Sequence, residues 1–125
     1  MSIPDDLRYS NDHEWARLEN DTATVGITDF AQGELGDIIF VEFPNLGDSF
    51  NKGETFGTIE AVKTVADLFM PLSGEIAAIN SDLEDAPENV NNDPYGAGWM
   101  VKIKIANPGE WDELLDSAGY KDLIA

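Results

Sequence analysis

From Trp99 to Ile105 apolar and charged side chains alternate, with Trp99, Val101, Ile103 and Ile105 at one parity and Lys102 and Lys104 at the other. Successive residues of a strand point to opposite faces, so this period of two predicts a half-buried strand and excludes a helix over the same residues. The period recurs along the chain. Glu14 to Glu19 and Thr22 to Ile27 both alternate and are joined by Asn20-Asp21, which predicts a hairpin. Asp37 to Phe43 is β-branched and aromatic at both parities, so it is expected as a strand with little solvent on either side. Thr55 to Glu60 and Val65 to Met70 predict a second hairpin with Ala61-Val62-Lys63-Thr64 at its tip, and Glu75 to Ile79 a further strand. About seven short strands separated by turns imply a sandwich or barrel trimmed with small helices.

Helix signals are local. Thr28 stands where an N-cap belongs before Asp29 to Leu35, with Gly36 just past the end. Asn107-Pro108-Gly109-Glu110 combines a capping residue, a proline at the first helical position and an acid three residues after the cap, opening a helix that carries Trp111, Leu114 and Leu115. Ser117 to Ala125 is expected to add a second short helix. Asn80 to Pro94 reads as a long acidic loop, of a length that usually has a job or a local fold of its own.

Charge then narrows the function. The chain has 125 residues, with 7 Lys plus Arg against 25 Asp plus Glu, a formal net charge of −18. Nucleic acid and anionic membranes both demand clustered cations, and neither is expected as a partner. With 42% hydrophobic residues the composition is that of a folded globule rather than a disordered chain, so the acid is expected mostly on the surface. There is no cysteine, which removes disulfides, thiol catalysis and thiolate metal sites. No signal or transit segment is visible at the start, and the expectation is a cytoplasmic protein.

Candidate catalytic groups are few. His13 is the only imidazole, and no Gly-x-Ser-x-Gly elbow or glycine-rich phosphate loop is present. Asp82, Glu84, Asp85 and Glu88 do not follow the calcium-loop pattern and read as a solvated acidic face, and no metal is expected. Lys63 stands apart: it is the only basic residue between Lys52 and Lys102 and occupies a hairpin tip. Residue type and position leave two readings level, a charge that protects a sheet edge and a lysine displayed for covalent attachment.

The motifs resemble a known family. His13-Glu14-Trp15, Val25-Gly26-Ile27-Thr28-Asp29-Phe30-Ala31-Gln32, Leu35-Gly36-Asp37-Ile38, Phe56-Gly57-Thr58-Ile59-Glu60-Ala61-Val62-Lys63, Pro71-Leu72-Ser73-Gly74-Glu75 and Asn91-Asn92-Asp93-Pro94-Tyr95-Gly96 follow, in order, the pattern of the glycine cleavage system H proteins, which are lipoyl carriers. Lys63 falls on the lysine that this family lipoylates. The family commonly has Glu-Ser-Val-Lys-Ala where this chain has Glu60-Ala61-Val62-Lys63-Thr64, an exchange of small residues; the methionines that flank the lysine of biotin carriers are missing. Gly47 and Gly74, sixteen before and eleven after Lys63, resemble the turn glycines of lipoyl domains.

The resemblance implies a mostly β barrel-sandwich hybrid, of the lipoyl and biotinyl-carrier type, with short peripheral helices including a C-terminal one. It implies a single domain over 1–125, with a core of about 14–105 and a helical segment of about 107–125. It implies a carrier rather than an enzyme. Lipoate would be attached to Lys63, and the aminomethyl group of glycine would pass from a pyridoxal-phosphate glycine decarboxylase to a tetrahydrofolate-dependent aminomethyltransferase. A dihydrolipoyl dehydrogenase using FAD and NAD would then reoxidise the dithiol. A lipoylating enzyme is a further implied partner, with Glu60 as its candidate recognition point. Because a loaded arm ends in a cationic amine, Glu14 and Asp67, with Asp12 as a secondary candidate, are expected to line a cleft that holds it. An H-like lipoyl carrier of lipoyl relay or sulfur oxidation is the alternative with the same lysine. An acidic metal-dependent enzyme or an unmodified binding domain is the alternative of a different class.

Overall fold

Both predicted hairpins form, and they fall in different sheets of the computed structural model, which describes residues 2–125. The first sheet is built around β2 (Glu14–Glu19) and β3 (Thr22–Ile27), followed by β9 (Val101–Ile105) and β8 (Gly74–Ile79), with the two-residue strands β1 (Arg8–Tyr9) and β5 (Ser49–Phe50) at its edges. The second has three strands, β4 (Ile38–Glu42), β6 (Thr55–Ala61) and β7 (Val65–Phe69), with β6 in the middle. Every pairing is antiparallel. The sheets share one core, to which the first contributes Val25, Ile76 and Ile103 and the second Ile38, Val41, Ile59 and Leu68. This is the mostly β, two-sheet barrel-sandwich architecture, with α1 (Asp29–Leu35), α2 (Asp82–Asp85), α3 (Asn89–Asn92), α4 (Gly109–Glu113) and α5 (Ser117–Ile124) on its periphery.

Several local expectations are corrected by packing. In β9, Val101 and Ile103 are buried as the alternation requires, but Trp99 lies before the strand. Its direction is set by the turn over Asp93 to Gly98, where Gly98 N donates to Asp93 O and Trp99 N to Gly96 O. The Lys102 ammonium sits 5.2 Å from its ring, and Met100 takes the core place instead. β4 is not covered on both faces. A bulge between Ile38 and Phe40 puts Ile38 and Val41 inward and leaves Ile39 and Phe40 in solvent.

The stretch Asn80 to Pro94, read as a loop, contains α2 and α3. Each drives one apolar side chain into the core, Leu83 and Val90, while Asp82, Glu84 and Asp85 stay exposed. The capping box at Asn107 closes only on one side. Asn107 Oδ1 accepts from Gly109 N at 3.0 Å, whereas Glu110 turns away to accept from Ser73 N at 2.9 Å and Ser73 Oγ at 3.0 Å. Leu114 and Leu115 lie beyond α4, and Leu115 pairs with Tyr9. The final helix, α5, is capped by Asp116, whose side chain accepts from Gly119 N. It brings Tyr120 onto a second apolar cluster with Leu7, Tyr9 and Trp15, where the two tyrosine rings stack at 4.7 Å.

Candidate functional site

Lys63 is exposed at the tip of the β6–β7 hairpin. The turn is closed by Ala61 N donating to Thr64 O at 2.8 Å and tethered by Val62 N donating to Asp37 O at 3.1 Å, on the segment that enters β4. The tip therefore cannot swing freely relative to the body. Gly36 ends α1 at φ +86°, a conformation costly for any side chain, and a Cβ placed there would stand 3.3 Å from Lys63 Cε. The aliphatic part of Lys63 thus lies along the end of α1 with its ammonium free. Asn91 of α3 secures this shoulder from behind. Its amide donates to Gln32 Oε1 and Gly36 O, both at 2.9 Å, and its carbonyl oxygen accepts from Ile38 N at 2.9 Å.

The residues just before Gly36, Glu34 and Leu35, line a cavity of about 340 Å³. Ile27, Phe30, Leu35, Ile59 and Leu68 give it an apolar wall, and Asp12, His13, Glu14, Glu34 and Asp67 supply its polar groups. Three segments that are distant in sequence meet here, the entry to β2, α1 and the hairpin that carries Lys63. All three carboxylates expected from the sequence to share a cleft, Asp12, Glu14 and Asp67, line this one cavity.

Their environments differ. Asp12 and Asp67 are exposed, but Glu14 is only 3% exposed. Burial pushes its carboxyl from about 4.5 up to about 8, the nearby Asp12 charge adds to the rise, and hydrogen bonds from Ser10 Oγ and Phe69 N oppose it. Ser10 Oγ donates to Glu14 Oε1 at 2.6 Å, and Phe69 N reaches Oε2 at 3.4 Å. Glu14 is therefore largely protonated at neutral pH while no cation stands near it.

His13, beside it, has a left-handed backbone at φ 68° and links the cavity to α5. Its Nδ1 lies 2.9 Å from the Tyr120 hydroxyl, which is also 2.7 Å from Thr28 Oγ1. Thr28 Oγ1 in turn accepts from Ala31 N as the cap of α1. Burial raises Tyr120 above the ordinary phenol value, so its proton stays available to this chain of contacts.

Glu60 is not part of the cavity. Ile59 and Ala61 point into the core, so Glu60 between them faces outward, across from Phe40 on β4 and Val65 on β7. Gly47 does serve a turn at φ +86°, but Gly74 does not: it opens β8, where a Cβ would collide with Lys104 O of the neighbouring strand. Sequence reasoning missed Glu34, Phe30, His13 and Asn91 as parts of the site. His13, Phe30 and Asn91 belong to motifs already quoted, His13-Glu14-Trp15, Val25 to Gln32 and Asn91 to Gly96, whereas Glu34 lies between two of them; what none of the motifs shows is that His13, Phe30 and Glu34 meet around one cavity. Among the described residues no group of three acids or histidines could hold a metal ion, and no helix is long and apolar enough to cross a membrane.

Comparison with known proteins identifies the family. The family described as Glycine cleavage H-protein matches residues 7–125. Glycine cleavage system H proteins of Chlorobium limicola and Bacteroides fragilis are 61% and 54% identical to this chain, each over 99% of it and 98% of the relative. That of Salinibacter ruber is 57% identical over 98% of this chain and 99% of the relative. The crystal structure of a glycine cleavage system H protein from Mycobacterium marinum superposes with a TM-score of 0.89 at 37% identity, over 96% of this chain and 97% of that one.

Proposed function

Since this chain belongs to the glycine cleavage H-protein family, we propose that it is the lipoyl-bearing carrier of that system, one domain of 1–125 with lipoate in amide linkage on Lys63. It takes the aminomethyl group of glycine from the decarboxylase to the aminomethyltransferase, and dihydrolipoyl dehydrogenase restores its dithiol to the disulfide. The observation that carries this reading is the exposed lysine on a tethered hairpin tip, leaning over the end of α1 whose preceding residues line an apolar cavity with an acidic rim. The residues present suit the group: a hydrocarbon arm with sulfur at its end needs an apolar wall, and a cationic amine needs carboxylates. When bound, the lipoyl group supplies a disulfide that opens to take up a one-carbon unit and closes again on oxidation.

The chain's own residues do the rest. The Ala61–Thr64 and Val62–Asp37 bonds hold the point of attachment, and Ile27, Phe30, Leu35, Ile59 and Leu68 exclude water from whatever lies in the cavity. Glu14 is stored neutral beside this wall, which avoids the cost of a bare buried charge. A cation at the rim favours the ionised form of Glu14, whose proton passes to solvent, and is met by carboxylates of Glu14 and Asp67, with Asp12 also on the lining; the pair forms only when there is something to hold. Attachment removes the lysine charge, so the formal net charge of −18 becomes −18 − 1 = −19. The cytoplasm is the compartment this reading assigns to the chain.

The test is the mass of the protein taken from its own host. One added lipoyl amide, located on Lys63 by peptide fragmentation, is expected, and Lys63→Arg, which keeps the charge but blocks the amide, should abolish glycine–bicarbonate exchange with the decarboxylase. An unmodified Lys63 in cells that lipoylate their other carriers overturns the carrier reading. A lipoylated chain that fails the exchange assay instead belongs to another lipoyl pathway.

A further inference from the structure

The outer face of the three-stranded sheet carries large apolar side chains that the fold itself does not use. Cross-strand pairing sets Phe40, Glu60 and Val65 side by side in one row, and Glu42, Thr58 and Asp67 in the next. Their inward-facing neighbours Val41 and Ile59 are buried, so Phe40, Glu60 and Val65 face out with Glu42 and Thr58, while Asp67, on the edge strand, belongs to the cavity described above. Phe40 is 49% and Val65 61% exposed, Ile39 beside the bulge 50%, and Val62 next to Lys63 at the hairpin tip 73%. Side chains opposite one another in a sheet stand about 5 Å apart, so Phe40, Glu60 and Val65 form one patch that runs up to the lysine. A bulge that turns Ile39 and Phe40 out of the core is a built feature rather than a packing accident. A contiguous apolar patch of this kind marks a docking surface.

We propose that this patch, Phe40, Val65, Val62 and Ile39 around Glu60, is where the enzyme that attaches lipoate to Lys63 docks, through an apolar centre bordered by Lys or Arg. This rests on Lys63 being lipoylated. Amide formation requires Lys63 Nζ inside that enzyme's active site: the acyl bond of an activated lipoyl adenylate breaks, the C–N bond forms, AMP leaves and the amine gives up its protons to water. Such an enzyme must close over the residues on either side of the hairpin tip. Enzymes that act on the far end of the arm have no need to. Charge sets the partner's border. Glu60 lies between Phe40 and Val65, Glu42 lies two residues beyond Phe40 on the same strand, and the one ion pair among the described residues, Lys52 with Glu113, is elsewhere. The patch is thus an apolar strip with unpaired acids at its centre and on one flank, complementary to apolar side chains flanked by cations.

The experiment is steady-state lipoylation of the unmodified full chain with lipoate, ATP and the lipoate-attaching enzyme of its host, followed by intact mass. Phe40→Thr and Val65→Thr keep strand-forming side chains on an exposed face, so folding is preserved, and circular dichroism checks it. Each is expected to raise KM for the carrier about tenfold with kcat within about twofold, while Phe40→Leu restores most of the loss. Leu46→Thr, at an exposed apolar residue of the loop before β5, should leave both constants unchanged. KM values for the two Thr variants within about twofold of the parent overturn the proposal, as does an equal rise for Leu46→Thr. If the parent itself is not modified on Lys63, the carrier reading fails instead, a result distinct from normal modification of every variant.

Discussion

Glu14 and Lys63 carry opposite charges in solution, yet the fold treats them in opposite ways, hiding the acid and displaying the base. The pH dependence of stability should show the first of these. Glu14 has its folded pKa raised from about 4.5 to about 8, so between those values the folded chain keeps a proton that the unfolded chain loses. Stability from this group is full below about pH 4.5, declines as pH rises and levels off above about pH 8. Glu14→Gln, which imitates the protonated acid, is expected to remove that decline and to exceed the parent by on the order of 5 kcal/mol near pH 9 while matching it near pH 4, as read from urea midpoints. A parallel pH profile for the two proteins would show that Glu14 is ionised throughout. For function, Glu14→Gln with Asp67→Asn should speed spontaneous ammonia release from the loaded carrier by about tenfold or more. An unchanged rate would remove both residues from the arm's binding site. The exposed hairpin tip that carries Lys63 was legible in the sequence because a lone cation between two strand-like runs is a local pattern, while its role as a point of attachment came only from the family resemblance. That Glu14 is buried was not legible, because burial depends on Phe69, Leu68 and Ile27 arriving from other elements.

Among the elements, α1 and the hairpins follow their sequence signals closely, since Thr28, Gly36 and the period-two runs act through neighbours a few residues away. The stretch 80–94 does not. Its helices α2 and α3 have four residues each and no side-chain caps, and they persist because Leu83 and Val90 are anchored in the core. α3 then supports the site through Asn91. Replacing Asn91 by Ala leaves Ile38 N and Gly36 O without their partner, and should lower stability by about 1–3 kcal/mol in denaturant unfolding. Because the shoulder under Lys63 loosens, amide exchange at Gly36 to Ile38 is expected to quicken more than at β3 or β9. Uniform exchange changes would mean that Asn91 stabilises the whole chain rather than this shoulder. β4 diverges from expectation for a similar reason: its composition is apolar at both parities, and only the bulge against β6 decides which residues go in.

For the whole molecule the governing quantity is the net charge of −18 on 125 residues. Self-repulsion on that scale opposes compaction and is screened by salt, so the melting temperature should rise by about 5 °C or more from about 0.02 to 0.5 M NaCl. A flat or falling melting temperature would mean that local ion pairs outweigh the repulsion. What the amino-acid order determines alone is what nearest neighbours decide: the strand periods, the turn that lifts Lys63 and the caps of α1 and α5. The family motifs likewise pick out Lys63 and the acids near it, because they are read residue by residue along the chain. Only the tertiary structure decides that the entry to β2, α1 and the lysine hairpin enclose one cavity, that Glu14 is neutral within it, and that Phe40 and Val65 stand in one row outside it. The reason is physical. A cavity, a desolvated charge and a surface patch are each made by side chains from segments far apart in sequence, and their properties exist only once packing has brought those segments together.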